Sequence, residues 1–197
     1  MNAVPFLFCD SVAATIQELL PLDRSTLSSS RDWGIWKPIL EDYAKNRRTY
    51  YLYVRFGVGQ WSFHFDNVEN NERHTFEQVR SVQAKHLHVP YISFSAGFSA
   101  VHSTLSSVCE VLEHILPFID SARLDLGSCA ASNSDLARLL GCLKNAPIEH
   151  IVMSEKRGCY EDFLKIQLKS ARFKEFDGYE FLWEDFQLEV RENLRMK

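Results

Sequence analysis

The spacing of hydrophobic and polar positions changes several times along the chain, and each change marks an element. Val12, Ile16, Leu19 and Leu20 fall at i, i+4, i+7 and i+8, one apolar stripe of a helix over 10–20. Asp10 or Ser11 can cap it and Pro21 stops it. A turn and short helical piece follow through Leu22–Leu27, then a break at Ser28–Ser30. A second helix is expected over 32–48, with Trp36, Ile39, Leu40 and Tyr43 on one side. Pro38 belongs in its first turns, where a missing N–H costs little. The period then drops to two. Residues 49–56 are aromatic and β-branched, 60–66 alternate, and Gly57-Val58-Gly59 between them predicts a hairpin whose glycines supply positive φ. A polar loop (66–74) leads to a helix marked by Phe76, Val79, Val82 and Leu87. Residues 89–94 read as a strand, with Pro90 suited to an edge or a strand start. Val101, Leu105, Val108, Leu112, Ile115 and Leu116 then keep helical period for four turns, ended by Pro117.

Beyond Pro117 the pattern repeats. Arg123-Leu124-Asp125-Leu126, His150-Ile151-Val152-Met153 and Glu175-Phe176-Asp177-Gly178 each follow a loop and precede a helical segment. The helices are marked by Leu136, Leu139, Leu140 and Leu143, then Phe163, Leu164, Ile166 and Leu168, then Leu182, Phe186, Val190 and Leu194. Leu124, Ile151 and Phe176 are 27 and 25 residues apart, and Ile92 lies 32 before Leu124. That is the period of a strand-plus-helix repeat such as a leucine-rich repeat. A unit this small cannot bury its own apolar face, so stacking is required. The Asn or Cys expected after each strand of a leucine-rich consensus is present once, as Cys129. The fold class is therefore α/β: N-terminal helices, a small hairpin, and irregular leucine-rich-repeat-like strand–helix units. A flat doubly wound sheet is the alternative, since it shows the same alternation. The domains divide as 1–48, helical, and 49–197, a repeat-like α/β recognition domain.

Composition removes several function classes. A formal charge of −4 argues against nucleic acid, whose binders carry a basic face. The one basic cluster, Lys45, Arg47 and Arg48, fits the C-terminal end of a helix. No run of about 18 apolar residues exists to span a membrane. Five cysteines without a Cys-x-x-Cys pair suit a reducing compartment, cytoplasmic or nuclear. Cys9, Cys109 and Cys142 sit in apolar stretches as small core residues, and Cys159 follows Gly158 in a loop. His86-Leu87-His88, with His64 and His74, is the best metal suggestion, but it lacks an acidic or thiol ligand at a telling distance, and surface or half-buried histidines explain it better. Glu161-Asp162 and Glu184-Asp185 fall in the first turn of expected helices, where negative charge suits the dipole. No Walker, G-x-S-x-G, H-E-x-x-H or kinase motif occurs. The expectation is a binding protein and not an enzyme, with no catalytic residues, no metal and no cofactor.

Val4-Pro5, the helix Val12–Leu20, Leu19-Leu20-Pro21-Leu22 with Leu27-Ser28, and Trp36 together resemble a degenerate F-box. With Val4-Pro5-Phe6-Leu7-Phe8-Cys9-Asp10 and Phe163-Leu164-Lys165-Ile166-Gln167-Leu168, the chain is similar to the nematode families of F-box and F-box-associated proteins. The departures are Phe-Leu-Phe-Cys after Pro5 where the family has acidic residues, and the Ser28–Ser30 break before Trp36. The resemblance implies a substrate-recognition adaptor of a cullin–RING ubiquitin ligase. Pro5, Phe6, Ile16, Leu19, Leu20, Pro21, Leu22, Leu27 and Trp36 would meet a Skp-type linker protein, and the C-terminal region would hold a protein substrate. Two other readings stay open: a general interaction scaffold whose N-terminal helices cap the repeats, and, ranked last, an α/β enzyme using His64, His86 or Cys159.

Overall fold

The computed structural model describes residues 38, 41–42, 45–83, 86–97, 101–119 and 121–178. The chain divides into two compact units, residues 1–48 with 82–87, and residues 49–81 with 88–197. In the first, the described backbone is helical at Pro38, Glu41, Asp42, Lys45 and Asn46, within the helix expected over 32–48. Arg48 Nη1 donates to the carbonyls of Lys45 (3.1 Å) and Arg47 (2.9 Å), so this basic residue satisfies carbonyls where the helical stretch ends. The helix expected over 10–20, the piece at 22–27 and the helix expected after Gly178 lie outside the described residues.

The sheet is built from β1 (Arg48–Gly57), β2 (Gln60–Asn67), β3 (Arg73–His74), β4 (Leu87–Ala96), β5 (Ala122–Leu126), β6 (Ile148–Met153) and β7 (Glu175–Gly178). The helices are α1 (Phe76–Arg80), α2 (Leu105–Ile115), α3 (Asn133–Cys142) and α4 (Gly158–Gln167). Strand order is β3-β2-β1-β4-β5-β6-β7. β1, β2 and β3 pair antiparallel, whereas β4 to β7 pair parallel, so the sheet is mixed. The rhyming residues are direct neighbours: Ile92 opposes Leu124, Leu124 opposes Ile151, and Ile151 opposes Phe176.

Strands added in sequence order, each through a right-handed crossover, put their helices on one face of a sheet. The helices accordingly pack in series, α2 on α3 and α3 on α4. The strand order does reverse between β1 and β4, but β2 and β3 are added there by antiparallel pairing, whereas a doubly wound sheet would be parallel and place helices on both faces. Within the second unit α1–α4 lie on one side, since α1 joins through Phe76, whose ring meets Phe65 of β2 and His114 of α2. This side holds the core: Leu52, Val54, Phe65, Ile92, Phe94, Leu124, Leu126, Ile151 and Met153 from the strands, with Val108, Leu112, Ile115, Leu136, Leu139, Phe163 and Leu164 from the helices. Helices α2 and α3 begin where hydroxyls cap them: Thr104 Oγ1 accepts from Ser107 N, and Ser132 Oγ from Asp135 N.

Adjacent units are also joined by polar clips. Arg157 donates from Nε to Glu155 Oε1 (2.7 Å) and from its Nη atoms to the carbonyls of Cys129 and Ala131 and to Asn133 Oδ1. The same Glu155 oxygen accepts from Cys129 N at 3.1 Å. This ties the β5–α3 and β6–α4 loops together. At the opposite end buried Gln167 donates to the Lys144 carbonyl at 3.0 Å. Gly127 is needed where β5 leaves the sheet, because a Cβ there would stand 3.0 Å from the Phe94 carbonyl oxygen.

Several local expectations change. The hairpin turn is Val58-Gly59, with φ of 52° and 74°, so Val58 and not Gly57 takes the left-handed conformation beside Gly59. The loop after β2 contains the short strand β3. The helix at Phe76 ends at Arg80, and Leu87 belongs to β4. β4 is interior and not an edge, yet Pro90 fits because pairing with β5 starts one residue later, at Tyr91. Helix α2 starts at Leu105, capped by Thr104, and leaves Val101 outside it and 69 % exposed. Pro117 lies in a 3-10 turn, Leu116–Phe118, that continues from the helix. Ile166 points to solvent, and Tyr160 and Gln167 fill the α4 face instead.

Candidate functional site on the open sheet face

The strand residues that alternate with the core point away from the helices. On β2 and β1 they pair as Asp66 with Tyr51, His64 with Tyr53, and Ser62 with Arg55. Across the parallel half Tyr91 pairs with Arg123, Arg123 with His150, and His150 with Glu175. The next row runs from Ser93 through Asp125 and Val152 to Asp177. One pleated surface therefore carries three tyrosines, two histidines and both signs of charge.

The tyrosines form a contiguous platform. Tyr91 lies edge-on to Tyr51 and Tyr53, with ring centroids 5.3 and 5.8 Å away. Tyr53 stacks on His64 at 5.1 Å and 14°. The Arg55 guanidinium lies 5.9 Å from the Tyr53 centroid, within cation–π range. Tyr91 Oη donates to Asp125 Oδ2 at 3.1 Å, which fixes the ring on the acidic side of the platform. All three rings are half-exposed. Burial and the nearby Asp66 carboxylate push the Tyr53 phenol up, and burial pushes Tyr91 up, so both stay neutral donors at physiological pH.

His64 is the buried polar member, 8 % exposed. Its Nε2 has no hydrogen-bond partner, and Asp66 Oδ1 stands 3.8 Å away, beyond bonding distance. Burial, then the Arg73 cation, hold its pKa below 6.5. At the β7 edge His150 faces two carboxylates, with Nε2 2.9 Å from Asp177 Oδ2 and Nδ1 3.5 Å from Glu175 Oε2. These three residues are the one group among the described residues whose ligand atoms come close enough to share a metal ion. Each carboxylate engages a different ring nitrogen, however, and one ion can take only one of them. As placed, the ring bridges the two acids.

His86 precedes β4 and is buried, with Nε2 3.7 Å from Asp42 Oδ2 inside the first compact unit. His88 lies on β4, so His86 and His88 do not share a strand face. Cys159 is half-buried in the first turn of α4 rather than in a loop. Burial raises the thiols of Cys129 and Cys159, which leaves neither activated as a nucleophile. The linker-binding residues expected from the sequence, Pro5, Phe6, Ile16, Leu19, Leu20, Pro21, Leu22, Leu27 and Trp36, lie outside the described residues. Of the open-face residues, the sequence pointed to His64, as a weak metal suggestion, and to the strand residues of the repeated units, but not to the three tyrosines. Their signal was the alternate register of the strands, which put Tyr51, Tyr53 and Tyr91 opposite the core positions.

Comparison with known protein families, curated proteins and solved structures finds no match to this chain.

Proposed function

We propose that the chain is a recognition module that holds a protein partner on the open face of its sheet. The observation that carries this reading is the platform of Tyr51, Tyr53 and Tyr91, half-buried on the sheet face opposite α1–α4. Tyrosine and arginine supply most of the energy at protein interfaces, because they bury large rigid area and keep a polar handle. Carboxylates at Asp66, Asp125, Glu175 and Asp177 and cations at Arg55 and Arg123 would fix a partner's register. In the fuller form, resting on the N-terminal resemblance to an F-box, the chain is a non-enzymatic substrate adaptor of a cullin–RING ubiquitin ligase. Residues 1–48 would engage a Skp-type linker, and binding would act by proximity.

Size-exclusion chromatography of the purified full chain with a purified Skp-type linker tests the fuller form. Co-elution that Pro5→Ala with Leu20→Asp abolishes is expected. Separate elution removes the ubiquitin role and leaves the sheet face to its own test.

One observation favours the scaffold reading. Residues 82–87 group with residues 1–48 in one compact unit, so the N-terminal segment is not a contiguous add-on. If residues 49–197 alone are soluble and cooperatively folded, the N-terminus is a separable module. Aggregation of that fragment marks it as an integral part of the fold.

A further inference from the structure

Among the described strands β7 ends the sheet, and with β6 it brings three metal-ligating side chains together. His150 of β6 stands opposite Glu175, and Asp177 lies two residues further along β7, so the pleat turns all three side chains to one face. His150 Nε2 lies 2.9 Å from Asp177 Oδ2, and Nδ1 lies 3.5 Å from Glu175 Oε2. With one ligand atom taken from each residue, the three atoms lie within 4.8 Å of one another. We propose that His150, Glu175 and Asp177 bind one divalent transition-metal ion of the zinc type, and that the ion pins the end strand β7 to β6.

The ring between two acids is a frustrated arrangement without a cation. A neutral imidazole has one N–H and one lone pair. It donates to one carboxylate and turns its lone pair on the other. A metal ion takes that lone pair and attracts both carboxylates. Since an ion uses one ring nitrogen only, one carboxylate must move. The ion takes Nε2 with Asp177, and Glu175, whose side chain is 62 % exposed, swings from Nδ1 to join them. Metal–ligand bonds of about 2.0–2.2 Å at tetrahedral angles hold ligand atoms about 3.3 Å apart. The separations of 2.9 and 3.5 Å bracket that value, so side-chain rotation completes the site while the paired backbones stay in register.

The donor set selects the class of ion. One imidazole nitrogen with two carboxylates suits zinc and its first-row neighbours, whereas magnesium and calcium take oxygen ligands. Three protein ligands leave a fourth tetrahedral position to water. The surroundings are acidic on balance. Asp125 stands in the same row as Asp177, across Val152, and adds a third carboxylate. Arg123 faces His150 from β5 and opposes the ion, but it is exposed and screened.

The test titrates the full folded chain, reduced and at neutral pH, with zinc chloride in a calorimeter, and with magnesium chloride as the counter-probe. One zinc per chain is expected, with no matching response to magnesium. Cobalt chloride identifies the donors: bound cobalt should show visible d–d bands without the near-ultraviolet charge-transfer band of a cobalt–thiolate bond. Glu175→Gln and Asp177→Asn change exposed side chains at constant shape, and circular dichroism checks that each variant is folded. Each should weaken zinc binding at least about tenfold, since even partners outside the coordination sphere are worth that much. Saturating zinc should raise the melting temperature of the parent chain and leave that of both variants nearly unmoved. Zinc binding weaker than about 1 mM would overturn the proposal. So would zinc binding unchanged by either substitution, an equal response to magnesium, or a cobalt–thiolate band, which would place the ion on a cysteine.

Discussion

Arg157→Met should cost about 2–4 kcal/mol of stability, because it cuts the clip between two adjacent strand–helix units. The guanidinium satisfies the carbonyls of Cys129 and Ala131, binds Asn133 Oδ1, and neutralises Glu155. Asn133 is exposed, and water replaces that bond at little cost. The two carbonyls are half-shielded by the loops, and losing a charged donor leaves each about 1 kcal/mol worse off. The ion pair sits at 19 and 27 % side-chain exposure, so its loss adds about 1 kcal/mol, well short of a buried pair's value. Methionine keeps most of the aliphatic contact, which confines the change to the polar head. Urea denaturation read by circular dichroism should show a lower midpoint at unchanged slope, with a melting temperature down by roughly 5–15 °C. Glu155→Gln should cost less, since the amide oxygen still accepts from Cys129 N. The double variant should fall short of the sum by about 1 kcal/mol. A cost for Arg157→Met below about 0.5 kcal/mol would refute the claim that this clip couples the units.

Ile151→Ala on the helix side should destabilise by about 2–5 kcal/mol, whereas Val152→Ala on the open face should cost under about 1 kcal/mol; equal losses in denaturant melts would mean that both faces are buried. His64, whose folded pKa lies below its unfolded value near 6.5, contributes stability that is present above that pH and lost as pH falls through the lowered pKa, because the unfolded chain then binds more protons. His64→Gln should flatten the stability profile below about pH 6.5, and an unchanged acid slope would count against the buried neutral imidazole. Val58 holds a left-handed conformation unusual for a β-branched residue, so Val58→Gly should raise stability by about 0.5–1 kcal/mol, and a loss would show that its side chain makes compensating contacts.

Much of the second unit was legible because its signals are local and redundant. The recurrence of Ile92, Leu124, Ile151 and Phe176 at similar but unequal spacing reflects one strand position repeated, and the structure puts these residues in register. Leucine spacing alone marked Leu136, Leu139 and Leu140, which form the buried face of α3. The failures share a cause: a property that only neighbours decide. Val101 fits the helical period of α2, but Thr104 offers a better cap, and the bridge from Ser103 to Trp61 holds the preceding chain as an extension of the sheet. Pro90 suited an edge or a strand start by its missing donor, and the late start of the β4–β5 ladder gives it a place within an interior strand. Whether helices covered one face or two could not be read from alternation, since single and double winding give the same order along the chain. The open face was hidden for the same reason. Tyr51, Tyr53 and Tyr91 are ordinary strand formers until register brings them together.

The most direct test of the central claim is photo-crosslinking of the full chain in cell extract. p-Benzoylphenylalanine is placed either at Tyr91, on the open face, or at Arg138, exposed on the solvent side of α3. A discrete adduct from the Tyr91 position, suppressed by Tyr51→Ala with Asp125→Lys and absent from the Arg138 position, is predicted. Equal adducts from both positions, or an adduct from Arg138 alone, would contradict it.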